Sequence, residues 1–276
     1  MNVVTGKGYI KGLSDFIWSQ LMYDLNHKMG FVDMSENHVV LIHNNNNQVI
    51  AGAVFMRYWG GLSVDRIFFI QEEKDNKKLH ETMMSVLFEQ AKILGCSFIF
   101  TDFYSDDHDM LIMLEYGFEI DSRRLVKDDY YKYLVVCKQF SQSNLKQFYD
   151  IKYVEDSYEI YMKYFAVHDN AMNYEIYSIA VRDKKDITLG GAIIRIKLGE
   201  SNIDSIAVSH EYQGRGIGGI LMKYIDKINK ENNISRQTLQ TLSCQAMPFY
   251  KKYGFVVQYE RKGYINDLSQ YFMITK

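Results

Sequence analysis

The chain repeats one order of predicted elements in its two halves, and this repeat limits the folds that it can adopt. Asp65 and Asp204 begin equivalent predicted strands, and two Tyr-Gly-Phe triplets lie almost the same distance apart along the chain as these two aspartates. Nearly equal offsets in different elements indicate the duplication of one unit. Two copies are too few for a solenoid, so we expect two tandem domains, divided by the polar segment 141–144 into residues 1–139 and 140–276.

Composition excludes several classes of protein. A net charge of −2 is too balanced for a protein that binds nucleic acid by neutralising phosphates. No apolar run approaches the length of about 18 residues that spans a bilayer, so we expect no membrane partner. Segment 1–25 lacks a signal pattern and the three cysteines are scattered, which favours a cytoplasmic location and argues against a metal site.

Hydrophobic periodicity predicts the α+β (mixed α/β) class for both halves. Each half reads as a helix, two antiparallel strands, a third strand, a long helix, a further strand, a short helix and closing strands. In the second half, apolar residues recur at helical spacing between Ile217 and Ile228 and predict a helix over 217–231. Segment 1–30 also reads mostly as helix, and 157–166 reads as the corresponding helix of the second half.

The segment from Ile203 to Gly219 joins an apolar strand, a glycine-rich turn and the start of a helix. Glycine allows positive φ and close backbone approach, so several N–H groups can converge on one anion, and the helix start adds its free donors and its dipole. If the segment were only a solvated turn, its four glycines in six residues would each destabilise the helix start by about 1 kcal/mol without any compensating role. We therefore predict a phosphate-binding loop formed by Gly214, Arg215, Gly216, Ile217, Gly218 and Gly219.

The type of phosphate ligand is constrained by the residues downstream of the loop. The spacing of Gly214, Gly216 and Gly219 satisfies the dinucleotide fingerprint, which alone is weak evidence. That fingerprint requires an acidic residue about 20 positions later, and residues 239–243 contain none. A triphosphate loop is excluded because neither Lys-Ser nor Lys-Thr comes after the glycines. A nicotinamide-dependent oxidoreductase is therefore the weakest of the functional hypotheses.

Two spaced motifs resemble those of the GNAT superfamily of acyl-CoA N-acyltransferases. Gln213-x-x-Gly216-x-Gly218, which comes after a predicted strand, is similar to the superfamily's motif for the acyl-CoA pyrophosphate. Ala246-x-x-Phe249-Tyr250-x-x-x-Gly254-Phe255 is similar to its second signature at the expected distance. The resemblance covers residues 175–260 in sequence and the flanks in element order.

The resemblance implies two tandem GNAT folds, each a mixed, mostly antiparallel sheet flanked by helices and splayed into a V between its fourth and fifth strands. Acetyl-CoA, as co-substrate, would lie in that V, with its pantetheine paired to the backbone of Ile206, Ala207 and Val208. Gln213 and Phe249 fall in the cofactor motifs. Ser243 stands where many relatives have a cofactor-binding asparagine, and its alternative role is to cap the short helix.

The resemblance also implies catalytic roles. Tyr250 would donate a proton to the CoA sulfur as general acid, and the N–H of Val208 would hold the oxyanion. Asp204 lies two residues before Ile206, hence on the same strand face by alternation, and is the predicted general base. Asp65 occupies the same place in the first half, which favours a structural role instead. Glu175, His210 or a chain of waters remain alternatives for the base.

The first half keeps the element order but not the working residues. With Asp65 aligned on Asp204, Lys77 falls at Gly216 and Leu79 at Gly218, where side chains should obstruct a phosphate. With the Tyr-Gly-Phe triplets aligned, Met113 falls at Tyr250. Residues 1–139 are therefore predicted to be a degenerate copy, structural or substrate-lining, and residues 140–276 the acetyl-CoA-binding domain.

We expect an N-acetyltransferase that moves an acetyl group from acetyl-CoA to a primary amine by direct attack on the thioester. The acceptor would be a small molecule or a peptide, and the protein either a monomer with pseudo-dimeric domains or a homodimer. The alternative is a protein that binds acetyl-CoA without transfer and acts as a sensor or scaffold.

Overall fold

The computed structural model describes residues 1–29, 37–58, 60–105, 107, 109–127, 130–139, 148–154, 160, 163, 174–265 and 268–275. The chain divides into two compact units. The terminal unit combines Met1–Val32 with Asn173–Lys276, and the middle unit is Asp33–Met172. The predicted boundary between residues 139 and 140 is therefore wrong, because the first part of the chain folds with the last.

Fourteen strands and five α-helices occur in the described residues. The strands are β1 (Asn2–Lys7), β2 (His38–His43), β3 (Val49–Tyr58), β4 (Gly61–Phe69), β5 (Phe98–Tyr104), β6 (Glu119–Lys127), β7 (Tyr130–Cys137), β8 (Asp150–Val154), β9 (Tyr174–Arg182), β10 (Thr188–Lys197), β11 (Glu200–Val208), β12 (Arg236–Leu242), β13 (Phe255–Ile265) and β14 (Leu268–Thr275). The helices are α1 (Leu13–Met29), α2 (Lys77–Ile93), α3 (Asp109–Glu115), α4 (Ile217–Glu231) and α5 (Met247–Lys251).

The two units contain sheets of the same topology. The terminal sheet has the order β1-β9-β10-β11-β12-β14-β13, and the middle sheet, taken from its other edge, has the order β8-β2-β3-β4-β5-β7-β6. In both sheets every pairing is antiparallel except one, which joins β11 to β12 and β4 to β5. The mixed, mostly antiparallel α+β fold predicted from the sequence is confirmed.

Each sheet takes its first strand from a distant part of the chain. Strand β1 pairs antiparallel with β9 over its whole length, from Asn2 opposite Arg182 to Lys7 opposite Tyr177. Strand β8 pairs in the same way with β2. This reciprocal arrangement is the physical reason for the corrected domain boundary, since backbone hydrogen bonds hold residues 2–7 in the terminal sheet.

Helix α1 completes the terminal unit. Its Leu13 and Ile17 are buried against Ala180, Ile193 and Ala207 of the sheet. Gly191 makes this approach possible, because a Cβ there would lie 2.5 Å from Leu13 Cδ1 and 3.1 Å from Ile17 Cδ1. The N-terminal helix is therefore packed as an integral layer of the terminal unit.

The opposite face of the terminal sheet is covered by α4. Its bounds, Ile217–Glu231, are those predicted from the sequence. Leu221, Met222 and Ile225 of its apolar stripe are fully buried against strand residues such as Ile194 and Leu239. The predicted helix at 157–166 lies outside the described residues except for positions 160 and 163.

Candidate active site in the terminal unit

Strand β11 has an open edge where it leaves its neighbour. It pairs with β12 only from Glu200 to Ile203, although both strands are described over their full lengths. With β10, in contrast, it pairs as far as Val208. The sheet therefore splays between its fourth and fifth strands, as the resemblance implied.

The backbone of this open edge offers hydrogen-bonding groups at alternate residues. The N–H of Ser209 donates to the carbonyl of Leu189 at 2.8 Å, which fixes the odd-numbered residues as those that face β10. The N–H and C=O groups of Ile206 and Val208 consequently point away from β10, toward the splay. Those of Ala207 point to β10, and the Val208 carbonyl accepts from Gln213 Nε2 at 3.4 Å, so Ile206 is the predicted pantetheine contact with both backbone groups toward the splay and without a partner among the described residues.

The glycine loop begins directly after β11. A 3-10 turn at His210–Tyr212 leads to Gln213 and then to Gly214 and Gly216, whose φ angles are +74° and +82°. A Cβ at either glycine would meet nothing within 4 Å, so the backbone conformation, not space, requires glycine there. Gly216 is the N-cap of α4 and has no side chain with which to cap the helix.

The loop presents unpaired backbone donors. In the described part of the chain, none of the N–H groups of residues 214–219 donates a hydrogen bond to another residue. The groups of residues 217–219 belong to the first turn of α4, where intrahelical partners do not exist and the helix dipole is positive. Arg215 adds a cation at the rim, with its guanidinium carbon 5.0 Å from the centroid of the Tyr212 ring.

The last two glycines allow α5 to approach α4. A Cβ at Gly218 would lie 3.1 Å from the ring of Phe249, and one at Gly219 would lie 2.9 Å from Tyr253 Oη. The Phe249 ring also contacts the ring of Tyr253, with centroids 5.0 Å apart. Gly218, Gly219 and Phe249, which the two motifs predicted to bind cofactor, are thus packed together at the start of α4.

Tyr250 lies beneath this aromatic group. Its side chain is buried, with edge-on contacts to Phe249 at 5.4 Å and Phe255 at 5.9 Å between centroids. Burial raises the pKa of Tyr250 to about 12, because the apolar surroundings disfavour the phenolate. The hydroxyl is therefore protonated throughout the neutral range. Met113, its counterpart in the middle unit, is a fully buried apolar residue.

The sequence argument for Asp204 is corrected in one respect. A β-bulge at Ile193/Ile194 interrupts the alternation of β11, so that Ile206 packs in the core cluster on the α4 side. Asp204 instead forms an ion pair with Arg195 at 2.8 Å, and Arg195 lies on the sheet face opposite to that core. Asp204 also accepts a hydrogen bond from Asn202 Nδ2 at 2.6 Å. Its predicted role as base is untested, but its carboxylate is already engaged and does not share a face with Ile206.

Two other predicted positions have partners that the sequence did not indicate. Ser243 does not cap α5, whose N-cap is Ala246; it exchanges hydrogen bonds with Ser269, whose N–H donates to Ser243 Oγ at 3.1 Å. Glu175 accepts from Tyr177 Oη and pairs with Lys7. The Lys7 ammonium lowers the pKa of the Glu175 carboxyl by hydrogen bonding to it.

Helix α1 contributes residues that the sequence analysis missed. Asp24 Oδ2 accepts a hydrogen bond from Gln213 Nε2 at 3.1 Å, and Gln20 Oε1 accepts one from the His210 N–H at 3.1 Å. The Tyr23 ring lies 4.9 Å from the His210 ring. No local signal marks these α1 residues, because polar side chains on one face of an amphipathic helix are ordinary.

The corresponding loop of the middle unit is built differently. The alignment placed Lys77 at the position of Gly216, but the N-cap that corresponds to Gly216 is Asn76, because the loop between the 3-10 turn and α2 is one residue shorter. The side-chain oxygen of Asn76 accepts from the N–H groups of Lys78 and Leu79 at 3.1 and 3.3 Å. Two of the first-turn donors of α2 are therefore already satisfied.

A search of the described residues for three or more His, Cys, Asp or Glu side chains placed to hold a metal ion finds none. Among the described helices, none has the length and apolar character needed to cross a membrane. The candidate site consists of the glycine loop, the open edge of β11 and the buried Tyr250.

A glycine loop at a helix start beside a splayed strand is the arrangement that the sequence resemblance to GNAT acyltransferases implied, and a family comparison agrees with it. Residues 173–257 match the family model described as the acetyltransferase (GNAT) domain. The matched residues lie in the terminal unit, so this unit is similar to a GNAT domain.

Similar proteins carry related descriptions. An uncharacterized N-acetyltransferase, YjcF of Bacillus subtilis (strain 168), is 34% identical over 74 residues, which cover 27% of this chain and 52% of that protein. The chain thus spans about half the length of this curated relative. A solved acetyltransferase from Bacillus cereus ATCC 14579 is 24% identical with a TM-score of 0.38, covering 45% of this chain and 96% of its own. The PaiA N-acetyltransferase of Thermoplasma acidophilum, solved in complex with coenzyme A, is 22% identical with a TM-score of 0.32, covering 37% and 60%.

Proposed function

We propose that the terminal unit binds acetyl-CoA and transfers its acetyl group to a primary amine. The observation that carries this proposal is the run of unpartnered N–H groups at residues 214–219, next to the open edge of β11. The GNAT family match of residues 173–257 supports acetyl transfer as the general chemistry.

The loop suits a diphosphate in charge and in hydrogen bonding. Consecutive N–H groups and the positive end of the α4 dipole would bind the phosphate oxygens, and Arg215 would add a charge-assisted contact. The N–H and C=O groups of Ile206, which face the splay, would pair with an amide of the pantetheine arm, and Val208 would lie beside the thioester. The other predicted cofactor residues would support the site by packing or by holding the loop in place. They are Ala207, Gln213, Gly218, Gly219, Ser243 and Phe249.

In the reaction, a neutral amine nitrogen attacks the thioester carbonyl, so a C–N bond forms and the C–S bond breaks. An amine with a pKa near 10.4 is about 1 part in 2,500 neutral at pH 7, so its proton must pass to a base or to water. The N–H of Val208, which points to the splay, would hold the oxyanion. Asp204, the base predicted from the sequence, is engaged by Arg195, so a chain of waters would accept the amine proton.

Tyr250 would assist the leaving thiolate. With a pKa of about 12 it is protonated at neutral pH, and it can donate a hydrogen bond to the sulfur. Complete transfer of its proton to a thiolate whose conjugate thiol has a pKa near 8.5 would be uphill. We therefore assign Tyr250 to stabilising the leaving thiolate by donating a hydrogen bond to the sulfur; Tyr250 keeps its proton, and the thiolate is released to take one from water.

We further propose that the middle unit is a duplicated copy that has lost cofactor binding. Its sheet has the same strand order as the terminal sheet, whereas Asn76 satisfies the helix donors and Met113 replaces the tyrosine. Its function would then be structural or substrate-lining.

Two measurements on the full chain test the proposed function. Isothermal titration calorimetry with coenzyme A should show one site per chain, and the absence of binding would refute the proposal. Thiol release from acetyl-CoA should then be monitored across a panel of primary amines. Tight binding without turnover on any amine would favour the alternative of a non-catalytic acetyl-CoA sensor.

A further inference from the structure

Three contacts join α1 to the residues that lead into the glycine loop. Asp24 Oδ2 accepts from Gln213 Nε2 at 3.1 Å, and Gln20 Oε1 accepts from the His210 N–H at 3.1 Å. Asp24 Oδ1 also lies 3.9 Å from His210 Nδ1. Asp24 and Gln213 are 189 positions apart in the chain, and the whole middle unit lies between them.

The glycine loop needs such support on its upstream side. Gly214 and Gly216 have more backbone freedom than any other residue, so ordering them for a ligand costs more conformational entropy. On the downstream side, Phe249 and Tyr253 lie against Gly218 and Gly219. On the upstream side, the side chain of Gln213 reaches both Asp24 and, at 3.4 Å, the carbonyl of Val208, and so links α1, the loop and the open edge of β11.

We propose that Asp24 and Gln20 of α1 are positioning residues that set the affinity of the terminal unit for acetyl-CoA. This inference rests on the proposed function. In this view, α1 holds His210 and Gln213, and through them the start of the glycine loop, in the conformation that presents its N–H groups. The acetyl-CoA site thus depends on the N-terminal segment 1–29, which the family match at 173–257 does not include.

The charge of Asp24 makes the proposal testable by the sign of the effect. A carboxylate near an anion-binding loop repels a diphosphate, so electrostatics alone predicts that its removal strengthens binding. A positioning role predicts the opposite, because the released Gln213 no longer restrains the loop. The direction of the change in affinity therefore separates the two explanations.

The experiment compares full-length variants by calorimetry with coenzyme A and by steady-state kinetics with acetyl-CoA. We expect Asp24→Ala to raise the dissociation constant and the KM for acetyl-CoA about tenfold, the effect of losing one charge-assisted hydrogen bond. The kcat at saturating acetyl-CoA should stay within about twofold, since no reacting atom is touched. Asp24→Asn, which retains an oxygen acceptor for Gln213, should restore most of the affinity.

Controls separate positioning from a general loss of stability. Asp15→Ala changes an exposed acidic residue in the first turn of the same helix and should leave the dissociation constant unchanged. If Asp24→Ala does not fold, as judged by circular dichroism, Gln20→Ala takes its place, with an expected weakening of about threefold.

Unchanged or tighter binding by folded Asp24→Ala, or by Gln20→Ala in its place, would overturn the inference. Failure of the wild-type chain to bind coenzyme A would instead refute the proposed function.

Discussion

The terminal and middle units have the same strand order, but the loops that precede their long helices differ in length and in the N-cap residue. In the terminal unit, four residues lead from the 3-10 turn to α4, and the N-cap is Gly216 at positive φ. In the middle unit, three residues lead to α2, and the N-cap Asn76 is extended, at φ −81°. The terminal loop leaves the first N–H groups of α4 without partners among the described residues, whereas the side chain of Asn76 accepts from two first-turn N–H groups of α2.

The middle loop is also tied to its surroundings. Asn76 Nδ2 donates to Tyr149 Oη at 2.8 Å, and the His80 ring nitrogen Nε2 contacts the Lys74 carbonyl at 2.7 Å. A loop whose polar groups are used internally is well suited to stability and poorly suited to a diphosphate. The comparison teaches that one sheet topology can be kept while one residue of loop length and the identity of the N-cap change how many first-turn N–H groups are left without a partner.

The largest effect is expected where a side chain is placed in the open loop. Gly216→Glu should weaken coenzyme A binding at least about 100-fold, because it adds the strain of positive φ, fills the anion site and brings a negative charge to it. Lys77→Glu places the same charge at the first residue of α2 in the middle unit, where a helix start favours it. Calorimetry measures the coenzyme A dissociation constant of both variants.

Binding of coenzyme A that weakens equally in the two variants would contradict the assignment of the phosphate site to the terminal unit. If neither substitution changes the coenzyme A dissociation constant appreciably, the glycine loop is not the phosphate site.

Tyr250 and Met113 provide the second contrast. Tyr250→Phe should lower kcat about 10- to 100-fold, the effect of losing one hydrogen bond to a charged leaving group, with little change in KM for acetyl-CoA. Met113→Leu conserves volume in the buried equivalent position and should leave kcat unchanged. A wild-type kcat in the Tyr250→Phe variant would contradict the role of Tyr250 in stabilising the leaving thiolate.

The pH dependence of this effect is set by the pKa of Tyr250. Because burial raises it to about 12, the hydroxyl is protonated at every pH below about 10 and begins to ionise only above that. The ratio of wild-type to Tyr250→Phe kcat should therefore be constant from pH 6 to 9. A ratio that falls tenfold across that window would indicate that Tyr250 titrates there, in conflict with its burial.

Local pattern was sufficient to predict the elements that build the site. The apolar stripe from Ile217 to Ile228 and the glycines before it fixed α4, and the two spaced motifs located the glycine loop and Tyr250. These features are encoded within short segments, where periodicity and glycine content report directly on conformation.

Long-range pairing was not predictable in this way. Strand β1 (NVVTGK) is short, and its partner β9 begins only at Tyr174, beyond the whole middle unit, so periodicity gave no sign that the N-terminus belongs to the terminal sheet. The same exchange concealed Asp24 and Gln20 from the sequence analysis. The bulge at Ile193/Ile194 likewise made the alternation argument for Asp204 wrong. One extra residue in β11 places Asp204 on the sheet face opposite to the one that the alternation predicted.

A smaller effect is expected from Asn76, which caps α2. Asn76→Ala should lower the free energy of unfolding by about 1 kcal/mol, the usual cost of an N-cap, and leave the coenzyme A dissociation constant unchanged. Gly216→Ala at the matching N-cap should weaken coenzyme A binding, because it forces a side chain into positive φ. Urea denaturation and calorimetry on both variants show whether the caps differ in function; loss of coenzyme A binding in Asn76→Ala would mean that the middle loop contributes to the site.

The smallest effect on catalysis is expected at Asp204, and the middle unit gives the reason. Asp65 also lies at a β-bulge, and it accepts from Ser63 Oγ two residues earlier at 2.8 Å, just as Asp204 accepts from Asn202. Asp65 makes this bond in the unit whose glycine loop is missing, where no catalysis is proposed. The shared aspartate is therefore better explained by the β-bulge, which is present in both units, than by a catalytic role. We expect Asp204→Asn and Asp65→Asn each to destabilise the chain by about 1 kcal/mol and to change kcat less than about threefold. A 100-fold loss of kcat in Asp204→Asn alone, with unchanged KM for acetyl-CoA, would instead establish Asp204 as the general base.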